Sequence, residues 1–181
     1  MPHYLFPKNY ADFVQRLRVP CGFLLLITFA IFSRPSLTSL AIGIPLSICG
    51  LLLRGWAAGH LAKNKDLAVS GPYAYLRNPL YAGTLITAAG LVVGSRSLLL
   101  VPIFAAVFLL VYLPAIELEE QHLRTLFANY AAYAEKVHRF LPFHKWPIPG
   151  SRFAPALYWK NEEYKASLGF LVAVGWLIWK L

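Results

Sequence analysis

Two polar segments carry the residues whose types and spacing suit chemistry. The first, 69–83, joins two apolar stretches. In it Gly71-Pro72 predicts a turn, and Asn78-Pro79 predicts a helix start with Asn as the N-cap and Pro at the first helical position. Free backbone N–H groups at such a start, with Arg77 beside them, suit a carboxylate or another anion. A purely structural interpretation, in which Arg77 holds lipid phosphate, has equal weight on physical grounds.

The second segment, 117–122, reads Glu-Leu-Glu-Glu-Gln-His and opens a helix predicted to run to about Arg139. At 100° per residue its apolar side chains form one stripe, with Glu119 near the centre, Glu120 at the edge and Glu117 pointing away. A carboxylate centred on an apolar stripe needs a cation or several donors, because burying an unpaired charge is costly. The alternative is a frayed first turn on which Glu119 stays hydrated. Three acids together, in a chain with eight, favour the functional interpretation.

The elements that must position these segments are apolar. Of the 181 residues 58% are hydrophobic and 14% charged, a balance typical of a membrane protein. Five stretches free of Asp, Glu, Lys and Arg predict a single all-α integral membrane domain, 1–181, with about five transmembrane helices: 19–33, 36–53, 78–95, 97–116 and 166–179. Short outer turns predict that the first helix pairs with the second and the third with the fourth. A soluble buried helix is the alternative for the first and the last stretch.

Charge placement predicts the orientation. With five spans and a cytoplasmic N-terminus, most of the 17 Lys and Arg residues fall inside, and only Arg34, Arg96 and Lys180 fall outside. Both polar segments are therefore expected in the cytoplasm. The net charge of +9 follows the membrane boundary and does not indicate a nucleic-acid partner. Cys21 and Cys49 lie within predicted spans, so we expect neither a disulfide framework nor a metal site.

Together the two segments resemble the isoprenylcysteine carboxyl methyltransferase and phospholipid methyltransferase family, over 54–142. The first segment matches its Gly-Pro-Tyr, Arg-His/Asn-Pro and Tyr-x-Gly motif. Asn78 stands where the eukaryotic carboxyl methyltransferases have His. The residues that resemble the family's second motif are Glu119, Glu120, Leu123, Phe127, Tyr130, Tyr133 and Val137.

The resemblance implies S-adenosyl-L-methionine as the cofactor, bound at the cytoplasmic membrane boundary, and a lipophilic or prenylated acceptor that enters from the bilayer. Arg77 then suits the cofactor's carboxylate, Glu119 or Glu120 its ammonium group, and Tyr73 and Tyr81 its sulfonium. Glu120, Arg77 and Arg124 are the candidates for catalytic or orienting roles. The residues expected to bind the cofactor are Val69, Gly71, Pro72, Tyr73, Arg77, Asn78, Pro79, Tyr81, Gly83, Glu119, Glu120 and Leu123.

Several functions remain open from the sequence. The acceptor could be the carboxylate of a prenylated cysteine, a phospholipid amine or a small lipophilic thiol. An NADPH-dependent membrane reductase of related architecture is a second possibility. A non-catalytic lipid-binding membrane protein, with Glu119 and Arg77 paired structurally, is a third.

Overall fold

The computed structural model describes residues 6–147 and 152–181, and these contain helices and no strand. This confirms the all-α prediction for the described part of the chain. A 3₁₀ turn, Gly71–Ala74, precedes the helix Pro79–Ser95. A π-helical turn, Phe108–Tyr112, joins the helices Leu100–Val107 and Leu113–Leu126 into one continuous helix. The helices are α1 (Lys8–Phe32), α2 (Leu37–Ala58), α3 (Pro79–Ser95), α4 (Leu100–Val107), α5 (Leu113–Leu126), α6 (Tyr130–Lys136), α7 (Pro155–Lys160) and α8 (Tyr164–Trp179).

Among the described residues, two helices are long and apolar enough to cross a membrane: α2, with 22 residues, and the continuous helix Leu100–Leu126, with 27. At about 1.5 Å per residue, both exceed the roughly 30 Å of a hydrocarbon core. Only 22% and 33% of their apolar windows are buried, so most of this surface faces outward, as it does for helices in lipid. The apolar part of α1 (Pro20–Phe32), α3 and α8 are shorter. Each predicted stretch is therefore helical, while the count of five spans stays a prediction.

Small residues bring α2 and α3 into close contact. A Cβ at Gly43 would lie 2.4 Å from the Gly90 carbonyl oxygen, and one at Gly50 would lie 2.5 Å from the Gly83 carbonyl oxygen. The Ser47 hydroxyl donates a hydrogen bond of 2.8 Å to a carbonyl of α3. Small residues and side-chain hydrogen bonds are the usual means of association between helices in lipid. The pairing fixes both ends of the loop that carries the first polar segment.

Helix α1 packs mainly against α5 and α4, so the prediction that it pairs with α2 is wrong. Helix α1 ends at Phe32, and the residue that follows it, Ser33, is extended. The Arg34 backbone N–H then donates to the Ser95 carbonyl, 2.8 Å away, which joins the α1–α2 turn to the end of α3. Sequence adjacency favours pairing of neighbouring elements, but the close fit of α2 on α3 competes for the same helix face.

The helix expected to continue from the acidic segment to Arg139 ends at Leu126. Phe127 is extended, at φ −125° and ψ 114°, and a new helix begins at Tyr130. This break lets Tyr130 and Tyr133 turn inward and form a buried cluster with Val137, which is packed against Leu67, Val69, Leu123, Phe127, Ala134 and Trp146. The apolar stripe predicted for one uninterrupted helix therefore assigns side chains to the wrong face.

Pro114 lies just after the π-helical turn, and the helix continues through it. Proline has no N–H for the hydrogen bond that an α-helix requires. A π turn is one of the local adjustments that accommodate such an interruption. The acidic segment therefore continues along the axis of the α4–α5 helix.

Candidate active site at the start of helix α3

Glu120 lies at the centre of a buried ion network, with 5% of its surface exposed. Arg139 donates to both carboxylate oxygens, at 3.2 Å from Nε and 2.7 Å from Nη2, and the Asn78 amide donates at 2.8 Å. Arg77 Nε lies 3.6 Å from Oε1. Burial lowers the pKa of Arg139, but its hydrogen bond to Glu120 and the charge of Glu120 outweigh that effect and raise it. The network ties α5 to the start of α3.

The burial of the acids differs from the sequence prediction. Glu117 and Glu120 are buried, whereas Glu119, expected at the centre of the apolar stripe, is exposed. The predicted orientations of Glu119 and Glu117 are therefore wrong, because α5 ends at Leu126 and the residues beyond it do not continue its stripe. Glu119 still takes part in the site, since its Oε2 accepts a hydrogen bond of 2.8 Å from the Tyr81 hydroxyl.

Helix α3 begins at Pro79, as predicted, but Asn78 does not cap it with its side chain. The Asn78 side-chain amide instead donates a hydrogen bond to Glu120. The backbone N–H groups of Arg77 and Asn78 are also occupied, because they donate to the carbonyls of His138 and Arg139 at 3.0 and 3.3 Å. These two backbone N–H groups are therefore not available to an anion.

A cleft of about 80 Å³ opens between the start of α3, α5 and α6. Two buried polar atoms of its lining residues, Arg77 Nε and the Tyr130 hydroxyl oxygen, have no hydrogen-bond partner. Burial, followed by the charge of Glu120, raises the pKa of Tyr130, so its hydroxyl keeps its proton and remains a donor. Unsatisfied buried polar groups are rare and call for an explanation. A guanidinium and a hydroxyl of this kind suit a carboxylate.

Seven of the predicted cofactor-binding residues line the cleft: Tyr73, Arg77, Asn78, Pro79, Tyr81, Glu119 and Leu123. Four of the others have structural contacts. Val69 packs on the tyrosine cluster, Pro72 is buried, and Gly83 contacts α2. Gly71, at φ +58°, lies against the His60 ring, which leaves no room for a Cβ.

Glu120 and Arg124, both named as catalytic candidates, lie outside the lining. Both oxygens of Glu120 accept hydrogen bonds within the network, which gives it a structural role. The Arg124 guanidinium lies 5.4 Å from the centre of the Tyr130 ring, on the exposed side of α5. A catalytic role for either residue stays a prediction.

Residues missed as site residues complete the cleft. The exposed turn after α2 contributes Lys63, Asn64 and Asp66, and helix α6 contributes Tyr130 and Tyr133. The Tyr133 hydroxyl donates to the Tyr73 carbonyl at 2.6 Å, which fixes the 3₁₀ turn against α6. The signal for the two tyrosines was present in the second motif. The turn has no comparable pattern.

A second cavity has a volume of about 210 Å³. Apart from the hydroxyl groups of Thr84 and Tyr112, the side chains that line it are aliphatic or aromatic. They come from α1, α3, the α4–α5 helix and one residue of α8. Tyr112 meets Tyr81 of the cleft edge to face, with ring centres 6.5 Å apart. A polar cleft and an apolar cavity thus meet at one pair of aromatic rings.

The model of the phospholipid methyltransferase family matches residues 36–130. The chain belongs to this family. The matched range holds both helices of the close α2–α3 pair, the first polar segment and the acids of α5. Tyr133 and Arg139 lie beyond it, although they complete the cleft and the ion network.

Three relatives are informative. The chain is 34% identical to the cobalt-zinc-cadmium resistance protein CzcN of Cupriavidus metallidurans, over 56% of this chain and 46% of the relative. It is 29% identical to the protein-S-isoprenylcysteine O-methyltransferase of Schizosaccharomyces pombe, over 75% and 59%. It is 31% identical to the nickel-cobalt-cadmium resistance protein NccN of Alcaligenes xylosoxydans xylosoxydans, over 56% and 47%.

The chain thus spans about half the length of these curated relatives. No solved structure matches it significantly. In the part of the chain that the structure describes, no group of three or more His, Cys, Asp or Glu side chains is placed to hold a metal ion.

Proposed function

We propose that this chain is an integral membrane methyltransferase that transfers a methyl group from S-adenosyl-L-methionine to a lipophilic acceptor. The observation that carries the proposal is the junction of two cavities. A polar cleft with an acid, a guanidinium and a buried hydroxyl meets an apolar cavity at the Tyr81–Tyr112 contact. A reaction between a charged, water-soluble cofactor and a lipid requires such a junction. Family membership supports the same reaction class.

The cleft's donor set fits the amino-acid end of the cofactor. Arg77 and the Tyr130 hydroxyl are donors for a carboxylate, since Arg77 Nε and the Tyr130 hydroxyl oxygen are buried and have no hydrogen-bond partner. Glu119 is exposed enough to accept from an ammonium group while it keeps the Tyr81 hydrogen bond. We assign the ammonium group to Glu119 and not to Glu120, whose oxygens are already occupied.

The cleft has to widen to admit the cofactor. Its volume of about 80 Å³ is below the range of about 300–1,000 Å³ that is usual for ligand sites. The turn 61–67 forms one wall, and its residues 63–66 are exposed. We infer that residues 63–66 move outward on binding, because Leu67 is packed on the tyrosine cluster and the opposite walls are held by that cluster and the Glu120 network.

The acceptor's hydrocarbon part would occupy the apolar cavity. Its lining suits a prenyl or acyl chain, and its position brings the polar end of such a chain to Tyr112. The carboxylate of a prenylated cysteine is the first candidate for the acceptor, since the relative from Schizosaccharomyces pombe is a protein-S-isoprenylcysteine O-methyltransferase. A phospholipid amine is the second, from the description of the matching family. A small lipophilic thiol is the third.

When bound, S-adenosyl-L-methionine supplies a methyl group on a good leaving group, so alignment of the acceptor is the main requirement. Arg77 and Glu119 would hold the carboxylate and the ammonium group, both of which are on the cofactor's α-carbon. The apolar cavity would exclude water from the acceptor's side. An acceptor carboxylate needs no base, and Arg124 would orient it only if it approached from the exposed side of α5.

The proposal is tested with purified protein in detergent. S-adenosylmethionine or S-adenosylhomocysteine should raise the melting temperature, whereas NADPH should not, because a ligand that binds only the folded state stabilises it. Stabilisation by NADPH alone would favour the reductase, and no shift with any of the three would favour a non-catalytic protein. Methyl transfer is then measured across prenylcysteines, phospholipid amines and lipophilic thiols.

The cofactor contacts are tested by substitution. Glu119→Gln and Arg77→Ala should each weaken cofactor binding by about 10- to 100-fold, the loss expected for a charge-assisted hydrogen bond. Glu135→Gln, which removes an exposed acid of α6, is the matched control and should bind normally. Normal affinity in both site variants would remove Arg77 and Glu119 from the site.

A further inference from the structure

One face of helix α3 lines both cavities. Leu80 and Tyr81 contribute to the polar cleft, and Thr84, Leu85 and Ala88 contribute to the apolar cavity. Residues four apart are neighbours on a helix, so the change from polar to apolar occurs within one turn. The linings of the two cavities are thus adjacent sections of the surface of α3.

The side chains of the α4–α5 helix likewise change from apolar to polar along its length. Tyr112 lines the apolar cavity, and Glu119, two turns further on, lines the cleft. Tyr81 contacts both residues: its hydroxyl donates to Glu119 at 2.8 Å, and its ring meets the Tyr112 ring at an interplanar angle of 79°. The pair of tyrosine rings therefore lies at the boundary between the two sections.

The π-helical turn Phe108–Tyr112 sets the position of the Tyr112 ring. Each extra residue in a turn rotates the following side chains by about 100° relative to an uninterrupted α-helix. Tyr112 is the last residue of this turn, and its ring stacks on Phe108 with centres 6.4 Å apart. Phe108 in turn contacts Phe140, at 6.1 Å. Tyr112 thus contacts Phe108 as well as Tyr81.

We propose that Tyr112 and Tyr81 form an aromatic gate that limits how far the polar end of an acceptor passes from the apolar cavity into the cleft. The gate rests on the proposed function and adds to it a determinant of acceptor choice. An edge-to-face pair of rings contributes little stabilisation beyond the area it buries. Rotation of one ring therefore opens the passage readily, whereas the closed pair separates lipid from the aqueous cleft.

The passage is tested without turnover. In a background with Cys21→Ser and Cys49→Ser, Leu123→Cys places a thiol in the cleft. A maleimide with a long alkyl chain, added in lipid vesicles, should label this thiol at least 10-fold faster when Tyr112→Ala is also present. Tyr112→Phe, which keeps the ring, should label at the parent rate.

Two controls isolate the gate. Phe104→Ala enlarges the same apolar cavity one helical turn or more away from Tyr112 and should leave the labelling rate within about 2-fold. A small charged methanethiosulfonate in the aqueous phase should react at equal rates with and without Tyr112→Ala. An unchanged rate for the lipophilic maleimide in the Tyr112→Ala protein would overturn the gate, whatever the chain methylates.

The consequence for acceptor choice is measured with two acceptors that share a prenyl tail and differ in the bulk of the head group. Tyr112→Ala should shift the ratio of their kcat/KM values at least 10-fold toward the bulkier head, while Tyr112→Phe and Phe104→Ala keep the parent ratio. An unaltered ratio in the Tyr112→Ala protein refutes the gate's part in selectivity. Absence of cofactor binding by the parent chain refutes the proposed function and leaves the labelling result valid.

Discussion

Removal of Arg139 from the buried network is the most direct test of how the site is held. Arg139→Ala leaves the Glu120 carboxylate, 5% exposed, without the two hydrogen bonds of 3.2 and 2.7 Å that neutralise it. Breaking a buried ion pair by removing one partner typically costs about 3–5 kcal/mol, because the remaining charge is uncompensated.

The structure places this variant at the lower end of that range. Asn78 still donates to Glu120, and Arg77 Nε remains 3.6 Å from the carboxylate. The Arg139 side chain is also 22% exposed, so water enters where it is removed. We expect a loss of about 3 kcal/mol, which for a chain of this size corresponds to a fall of roughly 6–12 °C in melting temperature.

The assay is thermal unfolding in detergent, with an exposed ion pair as the control. Lys165 and Glu162 form a contact of 2.6 Å, but both side chains are 58% exposed. Lys165→Ala should melt with the parent, because hydrated and screened pairs contribute little. Adding Glu120→Gln to Arg139→Ala should recover part of the loss, since the uncompensated charge disappears. If Arg139→Ala melts within about 2 °C of the parent, the reasoning about the network is refuted.

Three further predictions concern packing, the cleft and pH. Gly43→Ala should cost about 1–3 kcal/mol of stability in thermal melts, because its Cβ meets α3 backbone, whereas Gly169→Ala has open space and should not destabilise. Tyr130→Phe should keep the melting temperature but weaken S-adenosylhomocysteine binding. Tyr133→Phe loses a buried hydrogen bond and should lower the melting temperature. Equal effects of the two variants on binding and on melting would contradict this prediction. Burial lowers the pKa of His60, so this side chain binds a proton more tightly in the unfolded state than in the folded state. As the pH falls below about 6.5, the parent should therefore lose stability relative to the His60→Gln protein.

The apolar pattern determined much of the fold. All five charge-free stretches are helical, and the helix start at Pro79 lies where Asn78-Pro79 predicts it. Local rules suffice for these features, since apolar run length and the fixed φ of proline act on the chain directly. The two motifs likewise indicated the family before any geometry was available, because their spacing reflects contacts that are made together.

The sequence could not determine which acid is buried. The phase of Glu119 and Glu120 depends on where α5 ends, and Phe127 leaves the helix because the tyrosines beyond it pack inward. The donation from Asn78 to Glu120, 42 positions apart, does not follow from local preference either. It gains energy only when the partner segment is in place.

The sequence by itself therefore determined the helices, the family and seven of the residues that line the cleft. Tertiary structure decided the roles of those residues. It placed Glu120 in a network with Arg139, left Glu119 for the cleft, and brought Tyr112 against Tyr81 where the polar and apolar cavities meet. The physical reason is that charge pairing and ring contacts act between side chains distant in sequence, and only the packed helices bring them within a few ångströms.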